Sequence, residues 1–324
     1  MSSSKLQQNL LKMGENAYMD NTQPHSDTEI DIRAAEFLGN LANHNYSTRS
    51  VDGYRLTLKQ FTTFMRGRWK RAVLQITPQD LADYRLSLIE RKLKQNSLYV
   101  YLRVVALFCR YLHEHEHVFV NPAAGMETVG PDRSLQPVPT EDEIRTLLTL
   151  PDTSSPLGIR DRALFEVIYS TAARNGETVN MNVKDVDLVA GTIRIMGKGM
   201  RERVVPLGKS ATEWLTRYLA EVRDTLGGKP EEPALWLNSL GARLSGQVLG
   251  IVIKGYARAC ESIKTEITTH SLRRACATHM LQHGANPPEI QLLLGHGDLS
   301  HLRNYLRLTV VDLKAAHQKT AVGE

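Results

Sequence analysis

One proline- and glycine-bearing stretch divides this chain. From Glu127 to Pro139 the sequence carries Gly130, Pro131, Pro137 and Pro139 with few apolar residues. Proline fixes φ and withholds an amide hydrogen, so neither a helix interior nor a central strand passes through such a stretch. The composition predicts a semi-extended linker over 127–139. Two domains are then expected for the 324 residues, in line with about 150 residues per domain. Thr140 with Glu143 forms the signature of a capping box, so a new helix starts directly after the linker.

The part before the linker is helical by period. Residues 1–26 are polar and irregular and read as a tail. Ile30, Ala34, Phe37, Leu38 and Leu41 then fall on one helix face. Ser47 or Thr48 caps a second helix with Val51, Tyr54, Leu58, Phe61 and Met65 on its apolar face. Thr77-Pro78 opens a third, with Leu81, Tyr84, Leu88 and Leu93. A fourth runs from about Asn96 to His113 with Leu98, Leu102, Val105, Phe108 and Leu112, and Asn121-Pro122 closes the unit. A small all-α domain over 27–126 is the expectation.

The part after the linker, 140–309, reads as mostly helical with one β feature. Thr192–Met196 and Arg203–Leu207 are β-rich runs joined by Gly197-Lys198-Gly199-Met200, a glycine-rich hairpin turn. Helices are predicted around Ala211–Thr225, Gln247–Cys260, Ser271–His283 and Pro287–Leu294, with a last one over Val311–Lys319. The fold class is therefore mainly α, with a small hairpin or sheet in the second domain.

Composition excludes several classes. Hydrophobic residues make up 42% and charged residues 23%, which rules out a disordered chain or a fibre. The three cysteines, Cys109, Cys260 and Cys276, form no CxxC pair and sit in apolar helical segments, so buried free thiols in a reducing compartment are expected. No apolar run is long enough to cross a membrane, and the opening residues lack the pattern of a secretory signal. The net charge of +5 leans toward a polyanionic partner.

Single motifs say little. Gly197-Lys198-Gly199 is no P-loop, because Gly191 is one residue too far away and Gly199 stands where Ser or Thr is needed. His270 and Arg273 lie i, i+3 on one helix face, a pairing of forked donors with a proton-transfer group that suits a phosphate. Arg174 and Glu177 taken alone would be a surface ion pair. His279 and His283 have the spacing of a metal pair but lack a neighbouring glutamate and a third ligand, so both read as structural or surface residues.

Their order along the chain is more informative. Arg174 and Glu177, Lys198 in a hairpin, His270-x-x-Arg273, Leu294-Gly295-His296 and then Tyr305 together resemble the tyrosine site-specific recombinases of the phage integrase and Xer-like family. The resemblance extends from about Asp27 to His317. Its strongest stretches are DVDLVAGTIRIMGKGMRERVVPL and TTHSLRRACATHMLQHGANPPEIQLLLGH. The sequence departs from the family where TGLRxSE reads Thr171-Ala172-Ala173-Arg174-Asn175-Gly176-Glu177, and where Arg274 replaces a second histidine. After His296, Gly297-Asp298 replaces a serine pair.

The resemblance implies a DNA breaking-rejoining fold: a core DNA-binding domain over 27–126, a catalytic domain over 140–309, and a tail over 310–324. It implies that Tyr305 attacks a scissile phosphodiester and forms a 3′-phosphotyrosyl link, with no cofactor, metal or ATP. Arg174 and Arg273 would hold the non-bridging oxygens, and His270 would take the tyrosine proton or hydrogen-bond the phosphate. Lys198 would protonate the 5′-oxygen, and His296 would donate to a non-bridging oxygen. Glu177 would orient His270, Arg174 or Lys198.

The implied partner is double-stranded DNA with an inverted-repeat recombination site, bound by a homotetramer or by a heterotetramer with a related recombinase. An accessory DNA-binding protein is a further expected partner. No membrane association is expected, and the implied location is the cytoplasm at the nucleoid. The segment Val310–Lys319, with Val310, Leu313, Ala315 and Ala316 near one side, would dock on a neighbouring subunit. Arg49, Arg55, Lys59 and Arg66 on the second helix, and Asn96, Tyr99 and Arg103 on the fourth, are candidate DNA contacts. The short tail leaves no room for an arm-binding domain, which points to mobile-element recombination or to resolution of cointegrates or dimers. A type IB-like topoisomerase and a non-catalytic architectural DNA-binding protein are the alternatives.

Overall fold

A computed structural model describes residues 28–44, 46–126, 130–132, 136–197, 201–227 and 232–295. The chain divides into two compact units, Met1–Arg133 and Ser134–Glu324. The tail expected over 1–26 and the helix expected over Val311–Lys319 lie outside the described residues.

The first unit is built from α1 (Glu29–Asn43), α2 (Thr48–Gly67), α3 (Pro78–Glu90) and α4 (Gln95–Glu114), with a 3-10 turn at Val73–Gln75. Each start is set by its own sequence. Thr28 and Asp31 form a reciprocal box at α1, Ser47 caps α2, and Thr77 with Asp80 does the same at α3 behind Pro78. The faces predicted from period are the faces buried: Ile30, Phe37, Leu58, Phe61, Leu88, Leu102, Phe108 and Leu112 form one core. Phe61 meets Tyr84 edge-on at 5.1 Å and Phe37 meets Phe108 at 5.8 Å. Burying each such side chain contributes about 1.5–3 kcal/mol.

The second unit opens with α5 (Glu141–Thr149). The predicted box forms, with Thr140 Oγ1 accepting from the Glu143 amide. Glu143 also accepts from the Lys264 and Thr265 amides at 2.7 and 2.8 Å, tying the helix start to a loop far along the chain. Behind it runs α6 (Pro156–Thr171), buried around most of its circumference. Such a helix forms the centre of a core rather than its edge. A short α7 (Asn175–Val179) leads into three antiparallel strands: β1 (Val186–Asp187), β2 (Thr192–Met196) and β3 (Glu202–Pro206). Ile193 pairs with Val205 and Ile195 with Arg203, so these four side chains share the inner face. Then follow α8 (Lys209–Arg217), α9 (Gly246–Ala259), α10 (Thr269–Gln282) and α11 (Pro287–Leu294). Among the described residues no helix is long and apolar enough to cross a membrane.

Two expectations are corrected. The helix read over Ala211–Thr225 is α8 followed by a π-helical turn at Tyr218–Val222 and a 3-10 turn at Asp224–Leu226. The widened turn accompanies a buried Tyr218 whose hydroxyl donates to Leu235 O at 3.0 Å. Cys109 and Cys276 are buried, and burial pushes both thiols up to about 12. Cys260, however, is the half-exposed cap residue after α9, and a hydrogen bond with Ser262 lowers its pKa.

The end of the proline-bearing stretch is docked within its own unit. Arg274 on α10 donates to Pro137 O at 2.9 Å and to Gln136 O at 3.4 Å, and His279 lies 3.1 Å from Pro139 O. His279 also meets the Tyr169 hydroxyl at 2.9 Å, and His283 pairs with Glu141 at 2.6 Å. Both histidines are engaged in structural contacts on different surroundings.

Candidate active site

The site begins where α6 ends. Ala172 caps that helix in the left-handed conformation, φ 51°, and is fully buried. A non-glycine residue is uncommon there, and this is the position where the family pattern carries glycine. The turn aims Arg174 outward as the first residue before α7. The Arg174 amide donates to Glu177 Oε2 at 2.9 Å and its guanidinium to Glu177 Oε1 at 2.7 Å. The arginine side chain stays 42% exposed while that of Glu177 is 6% exposed. Glu177 is therefore no surface partner but a buried carboxylate.

Glu177 gathers three arginines. Besides Arg174, Arg203 Nη2 donates to Oε2 at 2.7 Å, and Arg273 Nη1 lies 3.9 Å from the same oxygen. Burial alone would raise its pKa. The Arg203 hydrogen bond and the Arg174 amide outweigh that and bring it down to about 2. Of the three groups that Glu177 was expected to orient, the structure shows it bonded to Arg174. Arg203 was not among the residues read from sequence. A signal was present: β3 alternates, and Arg203 has the parity of Val205 and Leu207, both buried. A charge at an inward strand position calls for a partner.

The N-terminus of α10 brings His270 and Arg273. Thr268 caps it, exchanging bonds with Ser271 at 2.7 and 3.1 Å. Arg273 is 1% exposed and donates to Ala172 O at 2.6 Å and Leu294 O at 2.7 Å. It thereby clamps the left-handed turn before Arg174 to the C-terminus of α11. His270 remains exposed on the helix. Partial desolvation of its ring lowers its pKa, helped by the charges of Arg274, Arg273 and Arg174. A neutral imidazole at neutral pH is a proton acceptor.

The end of α11 is held from two sides. Arg273 takes Leu294 O, and Arg203 Nε donates to Leu293 O at 2.9 Å. These are carbonyls that a helix end leaves without intrahelical partners. Gly295 follows at φ 61°, the conformation glycine adopts without cost. Gly197 closes the hairpin, its amide donating to Arg201 O at 2.8 Å. Lys198, His296 and Tyr305 lie outside the described residues. They follow Gly197 and Gly295 in the chain.

Asn175 adds a further tie. Its amide nitrogen donates to Gly246 O at 3.0 Å and lies 3.4 Å from Thr269 Oγ1, joining α7 to the starts of α9 and α10. It too was unread in sequence.

In the first unit, Arg49, Arg55, Lys59, Asn96 and Arg103 are exposed, and Arg66 and Tyr99 half-buried. Arg55 pairs with Asp52. Arg66 pairs with Asp31 at 3.2 Å. Asn96 Oδ1 accepts from the Asp132 amide at 2.8 Å.

Residues 138–310 match the phage integrase family, and residues 34–116 match the N-terminal SAM-like domain of phage integrases. The chain belongs to the phage integrase family of tyrosine recombinases. It is 34% identical over 269 residues to tyrosine recombinase XerD of Pseudomonas aeruginosa, covering 83% of this chain and 89% of that protein. With XerC of Herpetosiphon aurantiacus it shares 34% over 261 residues, 80% and 85% of the two chains. Among solved structures, XerH recombinase bound to its palindromic difH substrate superposes with TM-score 0.69 at 20% identity, covering 96% of this chain and 93% of that one. A lambda integrase dimer on a core site gives 0.66 at 19%, covering 85% and 94%. The protein is a tyrosine recombinase that acts on DNA.

Proposed function

We propose that this enzyme cuts and rejoins duplex DNA at an inverted-repeat site through a covalent link to Tyr305, as a tetramer and without metal or ATP. The observation that supports this most is the meeting of Arg174, Glu177 and Arg273 beside His270, from sequence positions nearly 100 residues apart. Covalent catalysis divides one hard step into two and keeps the phosphodiester energy for rejoining. The Tyr305 oxygen bonds to phosphorus while its proton passes to His270. The bond to the 5′-oxygen breaks, and that oxygen takes a proton from Lys198. A phenol of pKa about 10 needs such a base at neutral pH.

Arg174, half-exposed and braced by Glu177, is positioned to meet a non-bridging oxygen, with His296 donating to another. Arg273 is buried with its terminal nitrogens on the Ala172 and Leu294 carbonyls. Those bonds hold its guanidinium beside the turn that carries Arg174, and it is assigned to the phosphate as the second cation. Fixed cations aimed at developing charge supply transition-state stabilisation without reorganisation of water. The segment 310–324 is assigned to docking on the neighbouring subunit, and the exposed basic residues of α2 and α4 to DNA. Relatives named XerC and XerD, and structural likeness to lambda and transposon integrases, support a role in dimer or cointegrate resolution or in mobile-element recombination. The recovered site distinguishes them.

The test is capture of the adduct. Wild type and Tyr305→Phe are incubated in EDTA with nicked fragments of host and flanking-element DNA, then denatured, and protein-linked fragments are sequenced. An adduct in wild type alone is expected. Binding without an adduct in either protein would leave an architectural DNA-binding role, and relaxation by a monomer without exchange would indicate a topoisomerase.

A further inference from the structure

Arg203 occupies a place that the roles above do not use. Its side chain is 11% exposed. One end reaches Glu177 Oε2 at 2.7 Å and another Leu293 O at 2.9 Å. The group also fills the space beside two glycines. A Cβ on Gly295 would lie 3.0 Å from its Nη1 and 3.1 Å from its Cδ, and a Cβ on Gly197 would lie 3.7 Å from Nη1. Gly197 immediately precedes Lys198, and Gly295 immediately precedes His296.

Charge pairing alone does not account for this arginine. Glu177 already has Arg174 at 2.7 Å and Arg273 nearby. What this third cation adds is reach: a planar fork can satisfy the carboxylate and a helix-end carbonyl together, which a lysine ammonium on one stem cannot do with the same geometry.

We propose that Arg203 is a positioning residue that holds the β2 and β3 ends flanking Lys198 to the end of α11, and that delivery of the Lys198 proton to the leaving oxygen depends on it. This rests on the reading of Lys198 as proton donor to the leaving oxygen. Misplacement of a donor by about 1 Å can cost on the order of 100-fold, so the contact should be visible in rate.

The test separates positioning from folding by the leaving group. Two nicked duplexes of the sequence recovered as adduct are prepared, one with the ordinary 5′-oxygen at the scissile bond and one with bridging sulfur. Thiols are far more acidic than alcohols, and the sulfur leaves as thiolate without a proton. Arg203→Lys is expected to cut the oxygen substrate roughly 10- to 100-fold more slowly. On the sulfur substrate it should stay within about threefold of wild type, where no general acid is required. Affinity for DNA should be unchanged.

Arg203→Gln, which keeps a donor for only one of the two acceptors, should show the same pattern and serves where Arg203→Lys folds poorly. Lys198→Ala is the reference and should be slow on oxygen and rescued on sulfur. Equal slowing of Arg203→Lys on both substrates, or none on either, would overturn the proposal for Arg203 alone. Failure of sulfur to rescue Lys198→Ala would overturn the leaving-group reading, and with it the delivery of Lys198 by Arg203.

Discussion

The two units differ in how deeply they bury charge. In the first, several ion pairs are local and exposed: Arg33 with Glu36, Arg55 with Asp52, and Arg110 with Glu114 lie three or four residues apart on helix surfaces, while Asp31 and Asp80 reach Arg66, Arg68 and Lys70 from other segments. Asp80 is its main buried carboxylate, and it serves to cap α3. In the second, besides local surface pairs, several charges are buried and hold at least one partner distant in the chain. Glu177 meets Arg203 and Arg273, Arg160 holds Asp161 and Leu237 O, and Glu143 holds the 264–265 loop. Exposed pairs are worth about 0–1 kcal/mol and leave their charges available to a polyanion. Buried pairs gain little net stability but are costly to break. The first pattern suits a surface that binds, the second a site that must hold donors still.

The sharpest way to break this contrast is to remove its hub. Glu177→Gln should destabilise the catalytic unit by about 3–5 kcal/mol, because Arg203 and Arg273 lose their buried counter-charge. Urea titration followed by tryptophan fluorescence reads it, since Trp236 is fully buried there while Trp69 of the first unit is 79% exposed. pH gives an independent check. The Glu177 carboxyl is held at about 2, below its ordinary 4.5. A depressed carboxylate contributes its stability in full above the unfolded pKa and loses it as pH falls toward the folded one. The difference between wild type and Glu177→Gln should therefore be constant above about pH 5 and shrink between about 4.5 and 2. A difference that stays constant to pH 2 would remove Glu177 as the hub.

A smaller effect is expected at the edge of the network. In Gly246→Ala the new Cβ would meet Asn175 Oδ1 at 2.2 Å, so Asn175 must leave its place beside Arg174. A loss of about 1–3 kcal/mol is expected, together with slower cleavage at unchanged DNA affinity. Arg274→Ala removes donors to two carbonyls of the linker's end, where each hydrogen bond is worth about 0.5–1.5 kcal/mol. Limited proteolysis should then cut within 130–139 faster than in wild type. The smallest stability change belongs to the first unit. Arg55→Ala should shift its unfolding by no more than about 0.5 kcal/mol, yet lower the salt slope of DNA binding by about 1 if that residue contacts a phosphate. An unchanged slope would assign Arg55 to its Asp52 pair alone.

What could be read in the sequence follows this same division. The helices of the first unit, their caps and their buried faces were legible because each signal lies within four residues of its partner. The strands around Gly197 were legible by alternation. Cys260 was misplaced because periodicity cannot tell the last buried turn of a helix from its cap. The α8 helix was read too long because nothing local announces the π-helical turn that Tyr218 occupies. Arg203 and Asn175 were passed over for a different reason. Their partners are 26 and 90 residues away for Arg203, and 71 and 94 for Asn175.

Sequence alone carried the mainly helical class with its small hairpin, and it set Arg174, Glu177, Lys198, His270, Arg273, His296 and Tyr305 in order along the chain. Period, capping and motif spacing are properties of neighbouring residues, and they survive without a fold. Only the tertiary structure decided that Glu177 is buried among three arginines, that Arg273 clamps the Ala172 turn to α11, and that Arg203 joins the hairpin to the same helix end. A carboxylate and three guanidiniums can be removed from water together only where chain closure brings four separate segments to one place, and no local pattern encodes that meeting.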